Sequence, residues 1–225
     1  MPGPAVVLAS RSPQRSALLG GLGIEFTVRA SDVVEIEQGE SPAAVAIENA
    51  LRKARAAAAL GDARVAAAPA DARGGVACDD TGGARRTMTG AAAAPADARQ
   101  ELVIGCDTIV VLDGVIYGKP PDANAARRTL RALGGRTHEV LSGLAVLVSG
   151  EERTALARTR VTFRAIGDEL LESYVATGEW RGRSGGYAIQ GAGAKLAAGI
   201  EGEEENVVGL PLAALLELCP ELRDA

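Results

Sequence analysis

Short apolar runs that alternate with helical patterns constrain this fold most strongly. Ala5–Ala9 and Leu102–Leu112 are apolar runs of strand length. Between them, Ser41-Pro42 predicts a helix start, with a capping hydroxyl followed by proline at the first helical position. Asp113-Gly114 is a hairpin turn signal before Val115–Tyr117. Helices and adjacent strand pairs are therefore interleaved, which predicts an α/β fold with a mixed sheet.

The remaining apolar patterns extend this prediction along the chain. Further strands are predicted at Ile24–Val28, Thr137–Val148, Arg153–Ile166 and Gly209–Pro211, and further helices at Pro13–Leu22, Asp122–Leu133, Asp168–Thr177 and a last apolar stretch ending at Cys219. A length of 225 residues suits one large domain and is short for two. Aromatic residues make up 3% of the chain, so a core of Val, Leu, Ile and Ala is expected.

The segment from Gly61 to Gln100 differs in composition from the rest of the domain. The octapeptide Ala-Ala-Ala-Pro-Ala-Asp-Ala-Arg occurs twice, at Ala66–Arg73 and at Ala92–Arg99, with a Gly/Thr/Arg-rich stretch between the copies. Such residues bury little area and hardly offset their own ordering entropy. We expect a single domain over residues 1–225 that carries a mobile, low-complexity insertion at about 61–100.

Charge and cysteine usage narrow the functional classes. The net charge is −5, whereas duplex-binding proteins usually show a basic balance, so no nucleic acid partner is expected. The three cysteines are scattered and form no metal-binding or disulfide pattern. No apolar run approaches membrane-spanning length, and no leader pattern precedes the first strand. The expectation is a soluble cytoplasmic protein without a membrane partner.

The first candidate for chemistry is the loop Ser10–Arg15, which joins a predicted strand to a predicted helix. A helix N-terminus presents free N–H groups and a positive dipole end to a phosphate. Two hydroxyls and two guanidiniums within this loop add donors and positive charge. The alternative is that Ser12 only caps the helix and that the arginines are solvated.

The second candidate is Asp107, a carboxylate within an apolar strand. Burying a carboxylate without a partner is expensive. We therefore expect a strand edge or bulge at this position, with Gly105 allowing a ligand to approach the backbone. A metal ion or an activated water would be a natural partner. The alternative is a turn aspartate that caps backbone N–H groups.

Isolated cations and one amide are weaker candidates. Lys119 is fixed between a hairpin and Pro120-Pro121, whereas Lys53 lies on a helix, where lysines are usually solvated. The amide of Gln190 can both donate to and accept from a base edge, although a loop glutamine more often has no such role. His138 has no neighbouring nucleophile, so a structural imidazole is expected.

Taken in order, these motifs resemble the Maf family over nearly the whole chain outside the insertion. Each motif is weak alone, but seven in the same order are specific. They are Leu-Ala-Ser-x-Ser-Pro-x-Arg at Leu8–Arg15, Lys53-Ala54, Gly105-x-Asp107-Thr108, Gly118-Lys119-Pro120, Gly135-x-Thr137-His138, Tyr187-x-Ile189-Gln190-Gly191 and Val208-Gly209-Leu210-Pro211.

The resemblance implies a nucleoside triphosphate pyrophosphatase. It also implies an elongated mixed β-sheet flanked by helices, with a central cleft, a divalent cation such as Mg²⁺ or Mn²⁺, and a homodimer. In this comparison Asp107 matches the proton acceptor and, together with Glu35, the carboxylates beside the metal. The phosphate-binding positions are matched by Ser10, Arg15, Lys53 and Lys119. Water would attack the α-phosphorus to give the monophosphate and pyrophosphate.

The resemblance also bears on base choice. Thr108 and Gln190 match specificity positions, and Asp-Thr with Ile-Gln-Gly is the pattern of the family's dTTP/UTP branch. The 7-methyl-GTP branch has Asp-Gln and Glu-Gly instead. The dTTP/UTP branch usually has arginine where this chain has Gln14, so Gln14 is the third position tied to specificity.

Two alternatives remain open from the sequence. Cys78–Gly82 faintly echoes the Asp-Asp-Ser-Gly-type motif of inosine and xanthosine triphosphate pyrophosphatases, but no predicted strand leads into it. A regulator of septum formation that acts by binding is the alternative outside enzymes.

Overall fold

The computed structural model describes residues 4–30, 32–67 and 101–223. Its strands are β1 (Ala5–Leu8), β2 (Phe26–Val28), β3 (Glu101–Leu112), β4 (Val115–Tyr117), β5 (Thr137–Val148), β6 (Glu151–Phe163) and β7 (Ala197–Glu201). Its α-helices are α1 (Pro13–Gly20), α2 (Pro42–Ala67), α3 (Ala123–Leu133), α4 (Asp168–Thr177), α5 (Glu204–Val208) and α6 (Leu212–Leu218). Short 3-10 segments occupy Ser184–Gly186, Ala192–Leu196 and Pro220–Arg223.

The seven strands of the described residues form one mixed sheet in the order β2-β1-β3-β5-β6-β7, with β4 also paired to β3. The β1–β2 and β1–β3 pairs are parallel, and the other pairs are antiparallel. The prediction of an α/β fold with a mixed sheet flanked by helices is therefore confirmed. Within the described ranges, none of the helices combines the length and apolar character that crossing a membrane requires.

The central strand β3 is open along part of one edge. Its other edge pairs with β5 over Leu102–Val111. On the open side β1 pairs with Glu101–Ile104 and β4 pairs with Val110–Leu112. Residues 105–109 thus have no strand partner there in the described part of the chain, and Asp107 lies in this gap. We expected a strand edge at Asp107. The edge is limited to this gap, because β3 otherwise lies between β1 and β5 in the interior of the sheet.

Helix α2 packs unusually close to the sheet at two glycines. A Cβ on Gly105 would lie 2.2 Å from the carbonyl oxygen of Ala50, and one on Gly143 would lie 2.3 Å from the backbone of Ala46. Alanines along this face of α2 complete the close contact. The expectation that Gly105 admits a ligand is therefore wrong, because the helix backbone occupies that space.

Aromatic side chains are few but concentrated. Most of the core is aliphatic, as predicted, and alternate residues of β3 face separate apolar clusters on the two sides of the sheet. The cluster that includes α3 and α4 is the exception, because Phe163, Tyr174, Trp180 and Tyr187 are all buried in it. These rings support the polypeptide that leads to Gln190.

The structure differs from the sequence prediction at several places, and it adds strand β7 and helix α5, which the apolar patterns did not predict. Gly209–Pro211 is not a strand. The Gly209 N–H donates to the Glu205 carbonyl at the end of α5, and the Gly209 carbonyl accepts from the Arg15 guanidinium. Helix α2 continues to Ala67, which takes the first residues of the expected insertion into the helix. Residues 68–100, including the Cys78–Gly82 echo, lie outside the described residues.

Candidate active site

A cleft of about 420 Å³ opens where β3 lacks a strand partner. Its walls come from the loop after β1, the segment before α2, the β4–α3 connection, the end of α5, and a glycine-rich loop after α4 that includes residues 182–190. Every site residue predicted from the sequence lines this cleft: Ser10, Gln14, Arg15, Glu35, Lys53, Asp107, Thr108, Lys119 and Gln190.

Consecutive residues of β3 reach the cleft from opposite faces of the sheet. Successive side chains of a strand point to opposite sides. Asp107 meets Lys53 on α2, whereas Thr108 meets Arg15 on α1. The gap in the edge of β3 allows one cleft to include both side chains. The dipeptide Asp107-Thr108 therefore joins a catalytic candidate to a specificity candidate.

A chain of alternating charges holds the carboxylates. The Lys53 ammonium donates to Asp107 Oδ1 at 2.5 Å and to Glu35 Oε1 at 2.7 Å. Lys119 donates to Glu35 Oε2 at 3.0 Å. Asp107 is only 4% exposed, so these partners, rather than water, supply the hydrogen bonds to its oxygens. Lys53, which would ordinarily be a solvated helix lysine, instead lies at the centre of the site.

The charge of Glu35 is strongly favoured. Partial burial raises its pKa, but the hydrogen bond from Lys53 and the charges of Lys53 and Lys119 outweigh burial and hold the pKa at about 2. Glu35 is therefore ionised throughout the neutral range and holds Lys119 together with Lys53, the lysine that contacts Asp107.

The sequence analysis missed Asn49, a buried amide that also contacts Asp107. Its Nδ2 donates to Asp107 Oδ2 at 3.1 Å and to the Ile36 carbonyl at 3.0 Å, while its Oδ1 accepts from the Ile36 N–H at 2.8 Å. Asn49 thus ties the segment that carries Glu35 to Asp107. Asn49 lies four residues before Lys53, so both side chains share one helix face. That spacing is the sequence feature that could have identified Asn49.

Arg15 is fixed by three protein acceptors. Its guanidinium donates through Nε to the Gly209 carbonyl at 2.7 Å, through Nη1 to Ser10 Oγ at 3.2 Å and through Nη2 to Thr108 Oγ1 at 3.1 Å. Ser12 caps α1 by accepting from the Arg15 N–H. A guanidinium has five N–H donors, so hydrogen atoms on the two terminal nitrogens remain for a ligand.

The three specificity candidates lie in different local environments. Thr108 Oγ1 lies 2.8 Å from Ser142 Oγ as well as near Arg15. Gln14 accepts a hydrogen bond from the Ser12 hydroxyl at 3.0 Å. Gln190 is exposed to the cleft and follows the buried residues Tyr187–Ile189. The amide of Gln190 is thus presented to solvent on a firmly packed loop.

His138 is structural, as expected. Its imidazole is 1% exposed, and Nε2 lies 2.9 Å from the hydroxyl of Tyr187. Its ring contacts those of Tyr187 and Phe163 edge to face. Burial lowers the pKa of His138 to about 4 and raises that of Tyr187. Both groups are therefore neutral at pH 7 and support the loop that carries Gln190.

The carboxylates fit a hard divalent cation in their chemistry. No group of three or more His, Cys, Asp or Glu side chains converges within the described ranges. Mg²⁺ usually takes one or two protein carboxylates and completes its shell with water and substrate phosphates. Asp107 and Glu35, which share the Lys53 ammonium, match that donor set.

In this α/β protein the cleft brings a buried carboxylate together with lysines and with a loop that opens a helix, an arrangement whose cations and free N–H groups suit an anionic ligand. The family model described as "Maf-like protein" matches residues 5–222, so this chain belongs to the Maf family, and the resemblance seen in the sequence is confirmed.

Curated relatives agree with this membership. The chain is 42% identical to the dTTP/UTP pyrophosphatase of Moorella thermoacetica, over 95% of this chain and 92% of the relative. It is 38% identical to the dTTP/UTP pyrophosphatase of Dictyoglomus turgidum, over 95% and 93%. The protein of the same name from Syntrophotalea carbinolica is 41% identical, over 94% of this chain and 82% of the relative.

Proposed function

We propose that this chain hydrolyses nucleoside triphosphates, with dTTP and UTP preferred, to the monophosphate and pyrophosphate. The observation that carries the proposal is Asp107, a buried carboxylate in the gap of β3 whose two oxygens are held by Lys53 and Asn49. Family membership and the names of the relatives support the same reaction.

Asp107 orients the attacking water and accepts its proton. A P–O bond forms between that water and the α-phosphorus, the bridging α–β P–O bond breaks, and pyrophosphate leaves. Lys53, Lys119 and Arg15 line the cleft, as does Ser10 on the loop before α1, and in this proposal they contact the phosphate chain. These groups neutralise the charge that would otherwise oppose attack.

Asp107 and Glu35 would hold the divalent cation, Mg²⁺ or Mn²⁺. When bound, this cation supplies Lewis-acid stabilisation of phosphate charge. Within the protein, Glu35 holds Lys119 and Lys53, and Lys53 in turn contacts Asp107.

Base choice belongs to Thr108, Gln190 and Gln14. The Gln190 amide can donate to a 4-keto oxygen and accept from the ring N–H at once. An amide can rotate to suit cytosine as well, so the backbone around Gly191 must fix its orientation. Once a bound base covers the amide, a polar group left unpaired costs ~1–3 kcal/mol, which discriminates against CTP. Gln14 lacks the charge of the arginine usual at this position and loosens this preference.

The test is pyrophosphate release from a panel of dTTP, UTP, CTP, ITP and 7-methyl-GTP. We expect kcat/KM to rank dTTP and UTP above CTP, and Gln190→Ala to reduce that gap. Asp107→Asn should lower the rate at least ~10²-fold while the protein stays folded. Preference for a purine would reassign the specificity, and near-wild-type turnover of Asp107→Asn would remove this residue from the mechanism.

Two further properties belong to the same proposal. The protein works as a homodimer in the cytoplasm, where the free thiols of Cys106 and Cys219 are stable. Light scattering of the purified chain tests the dimer. A septum regulator that acts only by binding would keep its cellular effect in Asp107→Asn, whereas an enzyme loses it.

A further inference from the structure

Five cationic side chains line the cleft, and four of them already have protein acceptors. Arg11 pairs with Asp32, and Arg15 donates to backbone and hydroxyl oxygens. Lys53 and Lys119 share Glu35. Arg183 is the exception: its guanidinium makes no hydrogen bond or ion pair with any residue of 4–30, 32–67 or 101–223.

The loop that carries Arg183 is tethered beside the reactive groups. The Ser184 hydroxyl donates to the Thr108 carbonyl at 2.8 Å, which fixes the loop next to Asp107. The Gly185 N–H donates to the Gly118 carbonyl at 3.1 Å, which fixes it next to Lys119. The glycines of this loop at 182, 185 and 186 all have a φ of +69°, a conformation that side chains disfavour.

We propose that Arg183 binds the phosphate chain of the nucleotide, on the side of the cleft formed by Asp107 and Lys119. This inference rests on the proposed function, and it adds Arg183 to the residues that bind the substrate. The side chain is half-buried on a tethered loop, so little ordering entropy opposes its use. A guanidinium offers a planar pair of donors that matches two phosphate oxygens.

The phosphate chain suits Arg183 better than the base does. A guanidinium only donates. The edge of uracil or thymine presents an N–H between two carbonyl oxygens, so a donor fork aimed at that edge meets a donor. Phosphate oxygens only accept, and their charge strengthens each hydrogen bond.

The first measurement compares steady-state kinetics of Arg183→Ala and Arg183→Lys with dTTP as substrate. We expect Arg183→Ala to raise KM roughly 10- to 100-fold, because a charged hydrogen-bonding partner is lost, with a smaller effect on kcat. Arg183→Lys should recover part of the loss, since it restores the charge but not the fork.

Arg181→Ala is the matched control. Arg181 lies two residues earlier on the same loop, is exposed, and stacks on Trp180 with its guanidinium carbon 4.7 Å from the ring centroid. The Arg181→Ala substitution removes the same charge without changing a residue of the cleft lining, so KM should stay within about twofold of wild type. An equal rise of KM in both variants would overturn the proposal, because it would show a general charge effect.

Titration calorimetry with tripolyphosphate tests the inference without turnover. We expect Arg183→Ala to weaken tripolyphosphate binding while thymidine binding is unchanged. Unaltered tripolyphosphate affinity, or weakened thymidine affinity alone, would overturn the assignment to the phosphate chain. If the wild type hydrolysed no nucleotide, the proposed function would fail, and the tripolyphosphate measurement would still decide the role of Arg183.

Discussion

Asp107 is tolerated inside the sheet because each carboxylate oxygen has its own donor. Lys53 supplies the donor to Oδ1, and Asn49 supplies the donor to Oδ2. A buried charge that loses one of its donors carries the desolvation cost of the unpaired atom. The orientation of Asp107 therefore depends in part on Asn49, which is only 2% exposed.

Replacing Asn49 should impair catalysis more than binding. Asn49→Leu removes the donor to Asp107 and releases the Ile36 backbone, so kcat should fall ~10-fold or more, with a smaller change in KM. Asn49→Asp keeps the acceptor for the Ile36 N–H but places a second carboxylate beside Asp107, and should be at least as harmful. Steady-state kinetics measure both variants.

Leu171→Val is the control for a general loss of stability, because Leu171 is fully buried on α4. It should cost about 1 kcal/mol of unfolding free energy and leave kcat unchanged. Wild-type kcat in folded Asn49→Leu would show that Asn49 does not position Asp107.

A site residue can be identified from sequence when it conflicts with its local pattern, and it is missed when its role depends on distant contacts. Asp107 was found because a carboxylate conflicts with an apolar strand, and that conflict is visible locally. Lys53 gained weight only from the family resemblance, since lysines on helices are usually solvated. Asn49 owes its role to its contact with Asp107, and the loop that carries Arg183 is placed by the hydrogen bond from the Ser184 hydroxyl to the Thr108 carbonyl. The four-residue spacing of Asn49 and Lys53 marks a shared helix face, but no local pattern records what that face contacts across the fold.

Among the elements, α2 is the one whose placement sets the site. It carries both Asn49 and Lys53. These side chains contact Asp107 of β3 because Gly105 and Gly143 leave room for the backbone of α2 to lie close to the sheet. The length of the strands followed from their apolar runs, but the depth at which the helix packs did not. Gly105 looked like a ligand contact in sequence because a missing Cβ does not reveal what fills the space.

Gly143→Ala should displace α2 and thereby damage both stability and activity. The added Cβ would meet helix backbone at 2.3 Å, which cannot yield as a flexible side chain can. We expect a loss of about 1–3 kcal/mol or more in urea unfolding, together with a reduced kcat. Gly199→Ala, where nothing lies within 4 Å, is the control. Wild-type stability of Gly143→Ala would contradict this account of the packing.

At the scale of the whole molecule, we expect the catalytic domain not to need residues 70–96. Gly61 of α2 already lies beside Glu101, since an added Cβ would be 3.0 Å from Glu101 Oε2. The six residues left by this deletion, 68–69 and 97–100, span up to ~20 Å, and loop length changes closure entropy only slowly. Thermal unfolding and pyrophosphate release should both be close to wild type. An unfolded or inactive variant would show that the segment is structural.

Acid should destabilise the fold through His138. Its folded pKa of about 4 lies below the ordinary 6.5, so the unfolded chain binds the proton first as pH falls. The stability associated with the neutral imidazole is complete above pH 6.5 and is lost progressively down to about pH 4. His138→Gln should lose less unfolding free energy than wild type between pH 7 and 4, by up to ~3 kcal/mol. Urea unfolding at several pH values measures this, and equal losses would exclude His138.

The charge of the cleft is opposite to that of the chain as a whole. Its described lining carries five cationic side chains against the carboxylates of Asp32, Glu35 and Asp107, while the chain has a net charge of −5. At ~0.01 M salt the screening length is ~30 Å, so an approaching polyanion meets the repulsion of the whole surface. At ~0.1 M it is ~10 Å, and only the local attraction at the cleft mouth persists. Diffusional encounter with nucleotide should therefore become faster as salt rises through this range, the reverse of the behaviour of a basic phosphate-binding protein.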